Sequence, residues 1–174
     1  MFGTNKRVAR IAHRVGFILG LLAFVATPQI GKVAHADVPG AAPWIGYTKI
    51  NVTDLPRSID FYTKVMGLKI SATTDFPSSS ETLLTRSGAY NEDTILLTYV
   101  KKRTEPLVHG NAFNNLTFII DNFDEVVGRM EAAGHVVTGK RTGLKSPVPY
   151  AKTLSMAFTK DPDGYVIEII QFFN

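Results

Sequence analysis

Hydrophobic and polar residues alternate along this chain with two different periods. A period of two predicts a β-strand over residues 47–52. A helical period follows directly, and its apolar stripe consists of Leu55, Ile59, Tyr62 and Met66. Asp54 is a suitable N-cap for this helix, and Gly67 is a suitable stop. The pattern therefore predicts a strand that leads at once into a capped helix.

The order of elements is then repeated. Short apolar runs with polar loops between them predict three strands, over residues 68–72, 81–86 and 94–101. The second round gives a strand over residues 113–120, a helix capped by Asn122 and ended by Gly134, and strands over 135–139, 154–158 and 165–172. The spacing recurs 68 residues further on, where Val52, Leu55, Ile59 and Tyr62 correspond to Ile120, Phe123, Val127 and Met130. This predicts a twofold repeat of one strand, one helix and three strands.

The repeat predicts an α+β fold. Each unit forms a curved sheet whose apolar face is covered by one helix, so two βαβββ modules make a cup-shaped mixed sheet with helices on the outside. The modules span residues 46–104 and 111–174 approximately, within one domain over residues 46–174. The concave side of such a sheet can hold a small ligand.

One carboxylate lies in the middle of the last predicted strand, in the stretch DPDGYVIEIIQ. Glutamate is depleted in strands and costly to bury without a partner, so Glu168 faces either water or a group that requires a negative charge. The strand period places it on the cup side. The cup-side residues predicted in this way are Tyr47, Lys49, Asn51, Leu96, Thr98, Val100, Asn115, Thr117, Val166, Glu168 and Ile170.

The first 36 residues are predicted to be a secretory signal peptide. A basic start precedes an apolar run of twelve over residues 15–26, and Ala34-His35-Ala36 fits a cleavage site. The alternative is an uncleaved membrane anchor, because residues 27–33 are long for a cleavage region. The run is shorter than the roughly 20 residues of a spanning helix. We expect export to the periplasm or the medium, with residues 37–45 as a flexible lead-in and membrane contact only through a retained leader.

The leader accounts for the apparent basicity of the chain. Five of the 19 Lys and Arg residues precede Asp37 and no acid does, which leaves 14 basic against 15 acidic residues and a net charge near −1. No basic patch with interleaved aromatic residues remains, so we expect no nucleic-acid partner. The chain has no cysteine, which excludes disulfides, thiolate metal ligands and cysteine nucleophiles.

Four motifs together resemble the glyoxalase/bleomycin-resistance/extradiol-dioxygenase superfamily, also called vicinal oxygen chelate proteins, and glyoxalase I in particular. They are DLPRSIDFYTKVMGLKI from Asp54, ILLTY from Ile95, GNAFNNLTFIIDN from Gly110 and DPDGYVIEI from Asp161. The resemblance spans residues 47–171. It implies the cup-shaped fold, a small-molecule ligand and a homodimer.

In glyoxalase I, four cup-side residues hold a divalent metal that stabilises an enediolate while a carboxylate moves a proton. Carried over position by position, Glu168 matches the glutamate of the pattern. Tyr47 replaces a histidine or glutamine, Leu96 a glutamate and Asn115 a histidine. Leu96 has no ligand atom, and Asn115 offers only a neutral oxygen. The resemblance therefore implies at most a weakly bound divalent metal on Glu168, and no other cofactor.

The first functional hypothesis is an exported protein that binds a small organic molecule in an apolar cup with a degenerate metal site. Its ligand-binding residues are predicted to be Lys49, Asn51, Asn115 and Lys152, with Glu168 as a polar anchor. The proline-flanked segment before Lys152 is predicted to be a lid.

The alternative is a lyase or isomerase of the glyoxalase I type, acting on a 2-oxo or thiohemiacetal substrate. Glu168 would be its general base and Tyr47 its acid or oxyanion donor. A purely structural domain, whose cup is filled by its own side chains, is a third possibility.

Overall fold

The computed structural model describes residues 46–90, 92 and 94–174, which lie within one compact unit, Pro43–Asn174. The predicted leader and lead-in lie outside the described residues. No helix in the described ranges is long and apolar enough to span a membrane.

The first module contains the predicted strand, helix and three strands. Its elements are β1 (Thr48–Val52), α1 (Leu55–Asp60), β2 (Lys69–Asp75), β3 (Ser79–Thr85) and β4 (Thr94–Val100). Asp54 caps α1 as predicted, because its carboxylate accepts a bond from the Arg57 N–H at 3.0 Å. After α1 the chain continues as a π-helical segment, Phe61–Val65, and Gly67 ends it with φ 82°.

The second module repeats this order. Its elements are β5 (Leu116–Ile119), α2 (Phe123–Ala132), β6 (Thr138–Lys145), β7 (Thr153–Lys160) and β8 (Val166–Phe173). The strand orders of the two sheets are β1-β4-β3-β2 and β5-β8-β7-β6. In each sheet the first strand runs parallel to its neighbour and the other pairs are antiparallel. The predicted twofold repeat and the mixed sheets are confirmed.

Two local predictions in the second module were wrong. The strand expected over residues 135–139 begins only at Thr138, because the N–H of His135 bonds the Met130 carbonyl at 2.9 Å and closes the end of α2. Asn122 occupies the N-cap position of α2, but its side chain makes no capping bond. The side chain of Gln171 caps instead, accepting from the Phe123 N–H at 2.7 Å.

One hydrophobic core joins both modules. It is built from the inner faces of both sheets and from both helical segments. Its fully buried members include Val52, Tyr62, Leu84, Leu97, Met130, Ile167 and Ile169. Burying an aliphatic side chain of this size stabilises the fold by about 1.5–3 kcal/mol. The helices therefore occupy one side of both sheets, and the face away from them, here called the cup face, is left for other contacts.

The turn between β7 and β8 docks onto the first module through Asp163. The Asp163 side chain is 1% exposed and accepts bonds from the Thr53 N–H at 3.0 Å, from the Ser58 hydroxyl at 2.8 Å and from the Arg57 guanidinium at 3.0 Å. The Thr53 hydroxyl bonds the same carboxylate. These contacts connect the start of β8 to the corner between β1 and α1.

Asp161 makes a second contact between the modules. Its carboxylate accepts a bond from the buried Tyr62 hydroxyl at 2.9 Å, and its other oxygen accepts the N–H groups of Asp163 and Tyr165. Burial raises the pKa of Asp161 above its ordinary value, although the bond from Tyr62 and the two N–H bonds oppose this change. Gly164 completes the turn with φ 92°. The DPDG motif is thus a structural joint that holds β8 in place.

Candidate functional site

The residues of β8 alternate between the core and the cup face. Ile167 and Ile169 are 0% and 1% exposed and pack in the core, whereas Val166, Glu168 and Ile170 are half-buried. The strand period therefore places the Glu168 carboxylate on the cup face, as predicted. Because β8 is joined to the first module by the Asp161–Gly164 turn, this carboxylate has a fixed position.

Two polar side chains from β5 and the residues before it bond Glu168. The Asn115 amide donates to Glu168 Oε2 at 2.8 Å, and the Thr117 hydroxyl donates to the same oxygen at 2.7 Å. Asn115 also donates to the Thr117 hydroxyl at 2.8 Å. Among the described residues, Glu168 Oε1 has no donor. We call these three residues the Glu168 cluster, a carboxylate held by neutral donors with one oxygen left for a ligand.

A different polar group lies on the cup face of the first module. Lys49 Nζ is 2.5 Å from Glu81 Oε1, and the Thr98 hydroxyl lies 3.5 Å from the same oxygen. The Lys49 side chain is 48% exposed and that of Glu81 is 17% exposed. We call these residues the Lys49 cluster. It has one cation and one anion, so its net charge is zero, whereas that of the Glu168 cluster is −1.

The strand registers show which positions of the two modules correspond. Lys49 pairs with Leu96 between β1 and β4, and Thr117 pairs with Glu168 between β5 and β8. Leu96 therefore occupies the place in the first module that Glu168 occupies in the second. Tyr47 corresponds in the same way to Asn115. The acid of the first module, Glu81, does not occupy the position equivalent to Glu168. It lies on β3, one strand further from β1 than Leu96 on β4.

The remaining predicted site residues are spread over the cup face. Tyr47 directly precedes β1 and is 50% exposed, and Asn51 is an exposed residue of β1 opposite Thr98. The alternation of β1 places the Asn51 side chain on the same face as that of Lys49.

Lys152 lies at the far end of the second sheet. Its N–H bonds the Phe173 carbonyl at 2.8 Å, and its carbonyl accepts the N–H of Ser146, which closes the loop between β6 and β7. Phe173 is five residues along β8 from Glu168, or about 17 Å at the rise of a strand. The structure therefore brings Asn115 and Thr117 to Glu168 but leaves Lys152 at a distance from it within the same chain.

A cleft of about 840 Å³ opens between the two modules. Leu84, Ile95 and Leu116 line it together with the charged residues Arg86 and Arg129. Thr117 of the Glu168 cluster borders the cleft, whereas the carboxylate of that cluster does not. The cleft and the polar clusters of the cup face are therefore adjacent but separate features.

The residues at the four expected metal positions do not fit a divalent transition metal. Leu96 contributes no donor atom, and the amide of Asn115 already donates to the single carboxylate, that of Glu168. Within residues 46–90, 92 and 94–174, no three histidine, cysteine, aspartate or glutamate side chains lie together as a metal site requires. These four positions thus lack the donor set of the glyoxalase I metal site.

Comparison with known proteins agrees with this fold and with the motifs. The family model described as Glyoxalase/Bleomycin resistance protein/Dioxygenase superfamily matches residues 44–169. The chain belongs to this superfamily. Its two βαβββ modules, the shared core and the DPDG joint are thus those of a superfamily member.

Three relatives define the range of similarity. The lactoylglutathione lyase of Salmonella typhimurium is 33% identical over 126 residues, which cover 72% of this chain and 90% of that protein. A glyoxalase I mutant from Zea mays has a TM-score of 0.62 at 26% identity, covering 74% of this chain and 45% of that one. This chain thus spans less than half of the maize protein. TnmS3, an antibiotic binding protein from Streptomyces sp. CB03234, shares the fold at 21% identity, with a TM-score of 0.54 and coverages of 76% and 98%.

Glu81 was missed when the sequence was read for candidate residues. Glu81 gave a weaker signal than Glu168, because it stands at the start of the predicted strand, directly after Ser78-Ser79-Ser80, and not in the middle of an apolar run. Its partner could not be identified in the same way, because Lys49 is 32 residues away and reaches it across β4. The cup face of the first module therefore carries an acid as well, although its partner Lys49 is distant in sequence.

Proposed function

We propose that this protein is an exported member of the superfamily that binds a small organic molecule on its cup face without a transition metal of the glyoxalase I type. The observation that carries the proposal is the replacement of the metal ligands. Leu96 stands at the position that the glyoxalase I resemblance assigns to a glutamate, and the remaining acid, Glu168, is bonded by Asn115 and Thr117. Such a group can orient a ligand but cannot coordinate a transition metal firmly.

The cup face offers both kinds of contact that a small-molecule site needs. The apolar side chains of Val166 and Ile170 flank Glu168 on β8, and Leu83 and Leu96 flank the Lys49 cluster. Glu168 Oε1 can accept a bond from a hydroxyl or amine of the ligand. An apolar wall with a few placed polar groups is the usual composition of a ligand pocket. The antibiotic-binding member TnmS3 shows that the fold can serve such a purpose.

Export and self-association are part of the same proposal. The basic and apolar leader supports cleavage after Ala36 and release into the periplasm or medium. Both clusters lie on an open face, so a second copy can cover them, which supports a homodimer with ligand between its sheets. Amino-terminal sequencing of the protein from its own compartment tests cleavage, and light scattering tests the dimer.

Metal and ligand content test the central proposal. We expect native mass spectrometry of the mature protein, purified from its own compartment, to show a bound organic mass, and elemental analysis to show Ni, Zn, Fe and Mn far below one equivalent. The Glu168→Gln variant should lose part of the organic mass and leave the metal content unchanged. Stoichiometric metal that disappears in this variant would contradict the proposal.

A lyase or isomerase of the glyoxalase I type is the second candidate. Its support is the 33% identity to a lactoylglutathione lyase over 90% of that protein. In this candidate Glu168 Oε1 takes a proton from the substrate carbon, and the Tyr47 hydroxyl donates to the developing oxyanion. Turnover of the hemithioacetal of methylglyoxal and glutathione, lost in both Glu168→Gln and Tyr47→Phe, would favour it. The absence of turnover with every divalent metal tried would exclude it.

A further inference from the structure

The ammonium group of Lys49 is held over the middle of the first sheet. Lys49 lies on β1 opposite Leu96 of β4, and Glu81 lies on β3 opposite Thr98 of β4. Since β4 separates the two strands and their partners on β4 are two residues apart, Lys49 and Glu81 are about 12 Å apart at the backbone. Their ion pair at 2.5 Å therefore requires the lysine side chain to extend across β4. The cation is thus placed on the sheet surface and not directed into free solvent.

The lysine retains donors for a further partner. An ammonium group has three N–H donors, and among the described residues Lys49 Nζ bonds Glu81. Glu81 is the more buried member of the pair, at 17% exposure against 48% for Lys49. A molecule that approaches the cup face therefore meets the cation before the anion.

The surroundings of the cation are apolar. Leu83 and Leu96 are on the same face as Glu81 and Lys49, at 7% and 8% exposure. Charged hydrogen bonds are strengthened beside apolar surface, where competition from water is reduced. Because both leucines are already buried, an oxyanion at this place would satisfy the lysine beside apolar surface, and an apolar body next to it would contact the small area that they still expose.

We infer that the ligand of the cup is an anionic small molecule with an apolar body, and that Lys49 Nζ, oriented by Glu81, binds its carboxylate, sulfonate or similar oxyanion. This inference rests on the proposed function, since it names the class of molecule that the cup takes. Glu81 competes with the ligand for the same ammonium group. Removing the Glu81 charge should therefore strengthen anion binding, whereas removing the Lys49 charge should weaken it.

Two dyes that differ in one charged group provide the test. Anilinonaphthalene sulfonate is an apolar anion, and N-phenylnaphthylamine has the same ring system without the sulfonate. Fluorescence titration of the mature protein should show binding of both. Lys49→Met should weaken the binding of the sulfonate dye about tenfold, which corresponds to the loss of one charged hydrogen bond. The same variant should change the affinity for the neutral dye less than twofold. Glu81→Gln should strengthen the binding of the sulfonate dye and leave the affinity for the neutral dye unchanged.

Lys140 supplies the matched control. Its side chain is also 48% exposed and lies near an acid, Asp124, but it belongs to β6 and not to the Lys49 cluster. Lys140→Met should leave the affinity for both dyes unchanged. Circular dichroism checks the fold of each variant, and Lys49→Gln replaces Lys49→Met if that protein does not fold.

The outcomes separate the two proposals. If both dyes bind and the Lys49 variants bind the sulfonate dye as tightly as the wild type does, the inference about the anion is wrong and the binding function stands. Equal weakening of both dyes also contradicts the inference, because it reports damage to the cup and not loss of a charge contact. If neither dye binds the wild-type protein, the proposed binding function is contradicted.

Discussion

The two modules share one fold but carry different polar groups on the same face. In the first module a lysine neutralises the acid, and the place equivalent to Glu168 is occupied by Leu96. In the second module the neutral side chains of Asn115 and Thr117 bond the acid. The core residues under both clusters keep a common pattern of alternation. The repeat thus constrains the inner face of each sheet strictly, while the cup face of each module is free to change its chemistry.

The connections between the last two strands of each module also differ. The connection from β3 to β4 is closed by local bonds from the Ser87 N–H and hydroxyl to Glu92. It contacts the other module through the exposed ion pair of Arg86 with Asp121. The turn from β7 to β8 reaches the other module, through Asp161 and Asp163. The joint therefore belongs to one copy of the repeat, which shows that the modules have separate structural roles in spite of their common fold.

Removing the Asp163 carboxylate should have the largest effect on stability. Asp163→Ala leaves the Thr53 N–H without its acceptor and removes a buried partner of the Ser58 hydroxyl and the Arg57 guanidinium, so we expect a loss of about 3 kcal/mol in the free energy of unfolding. Urea denaturation measures this loss. Asp121→Ala is the control, because its ion pair with Arg86 also joins the modules but is 75–80% exposed. It should cost about 0.5 kcal/mol or less, and equal losses in both variants would contradict the assigned joint.

Restoring the superfamily ligands should produce a metal site. The triple variant Tyr47→His, Leu96→Glu and Asn115→His, with Glu168 retained, should bind Ni²⁺ or Zn²⁺ on the order of 100-fold more tightly than the wild type, or about 2.7 kcal/mol. Isothermal titration calorimetry measures the change. The same variant with Glu168→Gln is its control and should lose the gain. A triple variant that binds metal no better than wild type would show that these positions do not converge.

Breaking the Lys49–Glu81 ion pair should change stability only slightly. A double-mutant cycle with Lys49→Met and Glu81→Gln should give a coupling energy of about 1 kcal/mol or less, because the lysine is half exposed. The exposed helical pair Lys64 and Asp60 is the control, with a coupling of similar size. A coupling above about 2 kcal/mol would indicate a mainly structural pair and would weaken the assignment of Lys49 to ligand binding.

The free energy of unfolding should depend on pH through Asp161. Burial raises its pKa in the folded state above the ordinary value of 3.8, so the folded state binds this proton more tightly than the unfolded state does. The resulting stabilisation is complete below about pH 3.8 and is lost as the pH rises through the raised pKa. Asp161→Asn does not titrate, so its stability relative to wild type should increase from pH 3.5 to pH 7.

Tyr62→Phe tests the cause of this dependence. The Tyr62 hydroxyl bonds the Asp161 carboxylate and lowers its pKa, so removing the hydroxyl should raise that pKa further. Urea denaturation over the same pH range should then show the loss of stability at a higher pH than in wild type. A wild-type protein whose stability relative to Asp161→Asn does not change with pH would contradict the assigned pKa direction.

The parts of the fold that depend on short-range patterns could be predicted from the sequence. The cap of α1 by Asp54 involves residues three positions apart, and the placement of Glu168 on the cup face follows from the strand period. The cap of α2 could not be predicted in this way. Asn122 has the right residue type at the right position, but Gln171, 48 residues later in sequence, reaches the same backbone group. N-cap propensity describes only residues next to the helix end, such as Asn122, and not a distant side chain, such as Gln171, that can bond the same N–H.

The candidate site shows the same division. Asn115 and Glu168 were both predicted to be cup-side residues, and the structure shows that they are bonded. The Lys49–Glu81 pair could not be predicted, because it depends on the register of three strands. Lys152 was predicted from its neighbouring loop, and its distance from Glu168 along β8 became evident only from the pairing with Phe173.

The sequence by itself determined the order of elements, the twofold repeat and the side of the sheet on which Glu168 lies, because periods of two and of 3.6 residues are set by backbone geometry within a few positions. Only the tertiary structure decided which groups bond each acid and how the second module is joined to the first. Those bonds connect residues 32 to 110 positions apart. Their formation depends on strand order, register and burial, which arise when the whole chain packs.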